Sequence, residues 1–493
     1  MHSFIGIDIG TGSVKAIAVN ERGALVNKIQ KEYTTHQSIE GYQEQDPVVI
    51  WNTVFDCLQE VLYTVSDDTS TIAFSSAMHS LLAIDIKGEP LTPLIIWSDT
   101  RSADIAETLK NSAEGEALYF ATGTPIHAMT PLCKIRWLKE NNPGIFKTTH
   151  KFISIKEYVW WQLFGVYEID YSIASATGLF SIEHFGWHNN ALKWAGITAH
   201  QLSTPVSTTH ERQLTNPQIA EILKLKRSTK FIIGASDGCL ANMGSFALTP
   251  GTAAITIGSS GAVRVASKIP ILQFPAMPFS YRLNQEFFIC GGAINNGGIV
   301  IQWLLKTFLG IEKPVATDYF SLFKLIEGVK PGGEGLIFLP YLTGERAPVW
   351  DAKTCGTFFG LGTHHTKAHM LRAGVEGVCF AIHDTLQMLE QKTGEIKILQ
   401  VSGGFTHAPL WLQIIANVTG KKLNLLQTED ASAMGAAYLA MQKQGYDYTN
   451  PGTPVTIEPD RDIHQSYQKS FLIYKSLYPS LKDVMHKFYQ HNH

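Results

Sequence analysis

Apolar residues alternate through Phe4-Ile5-Gly6-Ile7-Asp8-Ile9 and give way to Gly10-Thr11-Gly12-Ser13 before Val14 resumes the pattern. That order predicts two strands joined by a turn of small residues. It returns 248 residues later, where Ala254-Ile255-Thr256-Ile257 runs into Gly258-Ser259-Ser260-Gly261 and then Ala262-Val263. After the first hairpin, Asn20-Glu21-Arg22-Gly23 supplies a turn and 24–26 a third strand. Asp46-Pro47 reads as an N-cap with proline at the first helical position, followed at helical spacing by Ile50, Trp51, Val54, Phe55, Leu58, Val61 and Leu62. Further strands are predicted over 71–74, 81–86 and 94–97. In the second half the pattern predicts a strand near 287–290, a helix from about 299, a strand over 396–401 and a helix over 409–418. From Gln465 onward, Phe471, Leu472, Tyr474, Leu477, Tyr478, Leu481 and Met485 mark helices that pack back on the protein. Strands in hairpin connection alternating with helices describe an α/β protein with mixed sheets. Leu248-Thr249-Pro250-Gly251 interrupts the pattern, so two domains, 1–248 and 249–493, are expected.

A chain of 493 residues exceeds what one hydrophobic core usually supports, which agrees with that division. With 17% charged residues and a net charge of −3, no basic surface for nucleic acid or an anionic membrane is expected, and partners should be small molecules. Six scattered cysteines form no metal-binding spacing and read as reduced thiols. The chain starts directly in a strand, with no leader-like segment and no apolar run long enough for a bilayer, so a cytoplasmic location is expected.

A tight loop of Gly, Ser and Thr between two strands can present consecutive backbone N–H groups and hydroxyls to a phosphate. Two such loops would clamp one. Only the first copy carries an acid, Asp8, where the second has Thr256. A single carboxylate helps to hold Mg²⁺ on a nucleotide, whereas two would repel the same phosphates.

The sequence resembles the FGGY family of carbohydrate kinases, in two stretches above all. Met129-Thr130-Pro131-Leu132-Cys133-Lys134-Ile135-Arg136-Trp137-Leu138-Lys139-Glu140-Asn141 fits the first family signature. Gly356-Thr357-Phe358-Phe359-Gly360-Leu361, His369-Met370 and Ala373 through Val375-Glu376-Gly377 fit the second, with Gly374 in place of a larger residue. The stretches 75–80, 97–102, 122–127, 155–158, 234–238, 295–298 and 344–348 look most like gluconate kinases. Xylulose kinases share the Met78-His79 pair, usually in a Gln-Met-His-Gly setting that this chain lacks. The resemblance implies a two-lobed actin-like ATPase (ribonuclease H-like) fold, each lobe a mixed central sheet flanked by helices, with the nucleotide in the interlobe cleft. It implies ATP-dependent phosphorylation of a sugar or sugar acid hydroxyl, D-gluconate to 6-phospho-D-gluconate first among them. A homodimer is an admissible assembly.

Residue by residue, the resemblance makes Asp237 the catalytic base and part of the substrate site, and its place after the apolar run 231–234 suits a carboxylate at a strand end. Nucleotide contacts fall on Thr11, Gly12, Ser13 and Lys15 in the first loop, with Asp8 near the metal, and on Gly258 and Ser259 in the second. Adenosine contacts fall on Gly298, Gln302 and Gly404. Gly12 and Ser259 stand where a hydroxyl residue and threonine are more usual. Sugar ligands are expected among Met78, His79, Trp97, Asp99, Arg101, His127 and Lys156, a set suited to an anionic polyol, with cations for the carboxylate and an indole face for the carbon chain. Lys134 and Trp137 read as core and surface. A kinase for another polyol such as D-xylulose is the alternative within the class; outside it stand an actin- or chaperone-like ATPase and a sugar-binding regulator.

Overall fold

A computed structural model describes residues 2–65, 69–226, 228–425, 430–448 and 454–492. The chain divides into two compact units that are not consecutive in sequence. The first contains 1–246, 267–289 and 430–451, the second 247–266, 290–429 and 452–493.

The first unit is built on six strands: β1 (Ser3–Ile9), β2 (Ser13–Asn20), β3 (Leu25–Glu32), β4 (Thr69–Ser76), β5 (Glu211–Gln213) and β6 (Lys230–Ser236). Their order is β5-β6-β4-β1-β2-β3. β1, β4 and β6 run parallel, and β2, β3 and β5 are antiparallel to their neighbours. Every residue of β1 is buried, which is why its apolar run is nearly continuous. The helix Pro47–Thr64 begins where expected, with Asp46 Oδ1 accepting from Val48 N and Val49 N, and it buries Ile50, Val54, Cys57, Leu58 and Val61. Trp51 packs on the same core, half-buried. The strands expected over 81–86 and 94–97 form outside this sheet, as short pairs of Leu82–Ile84 with Lys151–Ile153 and of Leu94–Ile95 with Glu44–Gln45. Both segments are apolar, but a turn at 86–87 and bends at 88 and 91–92 leave them too short to extend the sheet.

The helix Ala431–Lys443 belongs to this first unit. It lies so close to β1 that a Cβ on Gly6 would come within 2.1 Å of Ala433 O, a contact only glycine permits. Asp430, just before it, pairs with Lys15 at 2.7 Å and with Lys28.

In the second unit β7 (Thr252–Ile257), β8 (Gly261–Ser267), β9 (Ile398–Ser402), β10 (Lys422–Leu425) and β11 (Val455–Ile457) follow the order β8-β7-β9-β10-β11. β7, β9 and β10 are parallel; β8 and β11 are antiparallel to their neighbours. The buried helix Lys367–Thr393 carries Arg372 and Glu376, paired at 2.6 Å and both bonded to Tyr467 Oη of the C-terminal helix Arg461–Asn492. Glu376 of the second signature is thus a satisfied core carboxylate. The unusual Gly374 faces Leu304, whose Cδ1 would lie 2.6 Å from an added Cβ. The end of the chain is one long helix, with Pro479 inside it, rather than several.

Candidate functional site

Each unit brings its glycine-rich loop to the carboxyl ends of its parallel strands, in the first unit together with Met78, His79 and Asp237. In the first unit Asp8 aligns with Ser75, Ile9 with Ser76, and Ser236 with Ser76. The residues that follow these strands, Gly10-Thr11, Ala77-Met78-His79 and Asp237, therefore emerge abreast. Open α/β sheets bind their ligands at such strand ends.

The loop after β1 has its carbonyls engaged by the chain. Ser13 O accepts from Gly10 N (3.0 Å), Gly12 O from Tyr33 N (3.1 Å) and Thr11 O from Gln45 Nε2 (2.5 Å), while the Tyr33 hydroxyl donates to Gly10 O. All four carbonyls are thus held by the protein. Among the described residues, the N–H groups of Thr11 and Gly12 meet no acceptor of the chain. Carbonyls turned in and amides turned out make a nest for a phosphate. Trp97 Nε1 donates to Thr11 Oγ1 at 3.0 Å.

Asp8 is buried, and its Oδ1 accepts from Ser75 Oγ at 2.6 Å. Burial pushes its carboxyl above the usual range, with the Ser75 hydrogen bond and Lys15 opposing. Lys15 faces Asp8 across the hairpin but is paired with Asp430, so its charge is already balanced within the chain.

Asp237 is the first residue of the helix Asp237–Gly244. The capping position is taken by Ser236, whose Oγ accepts from Cys239 N, so Asp237 is not the N-cap; its Oδ1 accepts from Gly238 N at 2.7 Å. The half-buried carboxylate thus stands at a strand end and at a helix N-terminus.

The sugar-site candidates fall into three groups. Asp99 and Arg101 are joined by Oδ1–Nε (2.9 Å) and Oδ2–NH2 (2.8 Å) contacts; Arg101 also reaches Glu44 (2.6 Å) and stacks 3.8 Å over Tyr42. Lys156 is buried, with Nζ donating to Asp170 (2.8 Å) and to Ala235 O (3.0 Å), and burial lowers its pKa. Arg101 is thus paired with Asp99 and Glu44, and Lys156 with Asp170, within the chain. Each ties down a segment: Lys156 the end of β6, Arg101 the turn after Trp97.

His79 has a left-handed backbone (φ 66°). Its Nδ1 donates to Ala176 O at 2.8 Å, and its Nε2 lies 3.3 Å from Tyr281 Oη. Met78 packs on Ile169, Ile173, Ala174 and Phe180. His127 sits in the turn before the helix Pro131–Asn141, its Nδ1 accepting from Met129 N at 3.2 Å. Lys134, read from sequence as a plain core residue, is fully buried and donates to His79 O (2.7 Å), Ile96 O (2.8 Å) and Ile95 O (3.4 Å). It braces the segments bearing His79 and Trp97. Burial pushes its pKa down to about 7. A lysine among apolar residues at helical spacing was the signal in the sequence, but its acceptors, being backbone carbonyls, leave no trace there.

In the second unit Thr256 aligns with Ser402, so Gly258-Ser259 and Gly403-Gly404 emerge together. Gly258 O accepts from Gly298 N (2.7 Å), and Ser259 O from Gly297 N and Ile299 N (both 3.1 Å), so the loop rests on the start of the helix Gly298–Leu309. A Cβ at Gly298 would lie 2.6 Å from Gly258 O. A cavity of about 810 Å³ opens here, lined by Gly258, Ser259, Gly298, Gln302 and Gly404. All five second-half nucleotide candidates thus share one pocket. The rest of its wall includes Tyr319, Phe320 and Phe323 of the helix Ala316–Ile326 and Trp411, residues that the glycine motifs did not point to. In size and apolar lining it suits a nucleoside.

Comparison with known proteins agrees with this geometry. The family description "FGGY family of carbohydrate kinases, N-terminal domain" matches residues 3–244, and its C-terminal counterpart matches 253–443. The chain is 39% identical to a gluconokinase of Bacillus subtilis (strain 168) over 90% of its length and 87% of that protein. It is 28% identical to a xylulose kinase of the same organism over 98% of each. Among solved structures, a gluconate kinase from Lactobacillus acidophilus superposes with a TM-score of 0.94 at 30% identity, over 99% of both chains. A xylulose kinase from the same organism gives 0.94 and 30%, over 99% of this chain and 100% of that one. No helix among the described residues is long and apolar enough to cross a membrane.

Proposed function

This chain belongs to the FGGY family of carbohydrate kinases, and on that premise we propose that it transfers the γ-phosphoryl group of ATP to a hydroxyl of D-gluconate, giving 6-phospho-D-gluconate and ADP. The observation that carries the choice of sugar is the identity, 39% to a gluconokinase against 28% to a xylulose kinase. D-Xylulose is the second reading, because a xylulose kinase superposes equally well.

Asp237 takes the proton of the acceptor hydroxyl as its oxygen bonds to phosphorus and the bridging P–O bond to ADP breaks. The N–H groups of Thr11 and Gly12 and the hydroxyls of Thr11 and Ser13 bind phosphate oxygens. The pocket around Gly298, Gln302 and Gly404 holds the adenosine, and Ser259 donates beside it. Trp97, Met78, His79 and His127 shape the acceptor site; Asp99, Arg101 and Lys156 hold its walls.

Asp8 fits a role beside Mg²⁺: its carboxyl is destabilised by burial, which a cation would reverse. A Mg²⁺ ion beside Asp8, completed by phosphates and water, would supply charge neutralisation on the phosphates.

Coupled detection of ADP across gluconate, xylulose, ribulose and glycerol tests this reading. Gluconate should give the highest kcat/KM; a higher value with xylulose would move the assignment to the second reading, and no sugar-dependent ADP with any of the four would remove it.

A further inference from the structure

Thr11 has both of its acceptor atoms engaged by the protein and both of its donors turned elsewhere. Its carbonyl receives Gln45 Nε2 at 2.5 Å, and Gln45, almost wholly buried, is itself fixed by Thr35 Oγ1 at 2.8 Å. Its hydroxyl oxygen lies 3.0 Å from Trp97 Nε1. An indole N–H can only donate, so Thr11 Oγ1 must accept, and the single hydroxyl hydrogen must point away from Trp97. The Thr11 amide meets no acceptor among the described residues. An unrestrained threonine hydroxyl rotates to suit its surroundings and can offer a lone pair to an incoming anion, which repels it.

We infer that Trp97 is a positioning residue for the phosphate loop, its indole N–H locking the Thr11 hydroxyl as a donor to a nucleotide phosphate oxygen. This rests on reading residues 10–13 as that loop. It gives Trp97 a second task beyond presenting its ring to the acceptor, and it joins the two substrates through one side chain. Trp97 is only half-buried, whereas the carbonyls of Ile95 and Ile96 before it are anchored by Lys134 and the turn after it by Asp99 and Arg101. The indole is therefore carried on a backbone anchored on both sides.

The test uses Trp97→Phe, Thr11→Val and the double variant in the full-length enzyme, with KM for each substrate and kcat measured separately. Trp97→Phe keeps an aromatic face and removes the N–H; Thr11→Val keeps the shape and removes the hydroxyl. A hydrogen bond to a charged phosphate is worth enough that each single variant should lose about 3–30-fold in kcat/KM for ATP. Circular dichroism certifies the fold of each variant, and the double variant should be no worse than Thr11→Val alone, since Trp97 acts through Thr11. Losses that multiply, or a Trp97→Phe enzyme impaired only toward the sugar, would overturn the inference while leaving the phosphate loop intact. A Thr11→Val enzyme with unchanged ATP kinetics would instead remove the loop assignment itself.

Discussion

Asp237 and Lys134 show how differently two buried or half-buried charges on one unit can behave. Replacing Asp237 by Asn should lower kcat by roughly 10²–10⁴ while leaving ATP affinity near wild type, the usual signature of a lost general base; circular dichroism would verify the fold, and near-normal turnover would end the assignment. Lys134 makes its prediction through stability. Its folded pKa is near 7, below the ordinary value of 10.5, so between these the unfolded chain binds the extra proton. Stability should therefore rise with pH from about 7 to 10, by on the order of a few kcal/mol. Urea midpoints at pH 7 and 9 should show this slope in the wild type and a flatter one in Lys134→Met. Sequence reading found the candidates at this scale because their types and neighbours are distinctive. It did not show the pairing of Arg101 with Glu44 or of Lys156 with Asp170, because a free cation and a paired one look alike until the fold closes the distance.

Among the elements, the two glycine-rich hairpins were legible from alternation alone, and so was the capped helix at Asp46. The short strands after β4 were not placed, since an apolar run says nothing about which partner it pairs with. The aromatic helix Ala316–Ile326 was missed as a pocket wall because its Tyr319, Phe320 and Phe323 have the spacing of any amphipathic helix. The hairpin loop at Gly258 depends on the helix it rests upon. Gly298→Ala would thrust a methyl to 2.6 Å from Gly258 O, and overpacking against backbone costs about 1–3 kcal/mol. The loop should shift, raising KM for ATP severalfold with the acceptor's KM unchanged; an equal KM for ATP would show that the loop tolerates the displacement.

For the whole molecule, nothing in the sequence pointed to the return of residues 267–289 and 430–451 to the first unit. Nothing in the alternation of Ala431-Ser432-Ala433-Met434-Gly435 names its distant neighbours; the small residues at Gly6 and Ala433 only acquire meaning once they touch. A fragment of residues 1–246 should accordingly aggregate alone and become soluble only when residues 267–289 and 430–451 are both supplied, as light scattering would show. A stable, cooperatively unfolding fragment without these two peptides would contradict this.

The same helix imposes a schedule on synthesis. The nascent chain completes β6 and Asp237 long before Ala431–Lys443 leaves the ribosome, and at roughly 5–20 residues per second that interval of about 200 residues lasts on the order of 10–40 s. Throughout it, the β1 surface at Gly6 lies uncovered, so chaperone demand should fall on this window rather than on the start of translation.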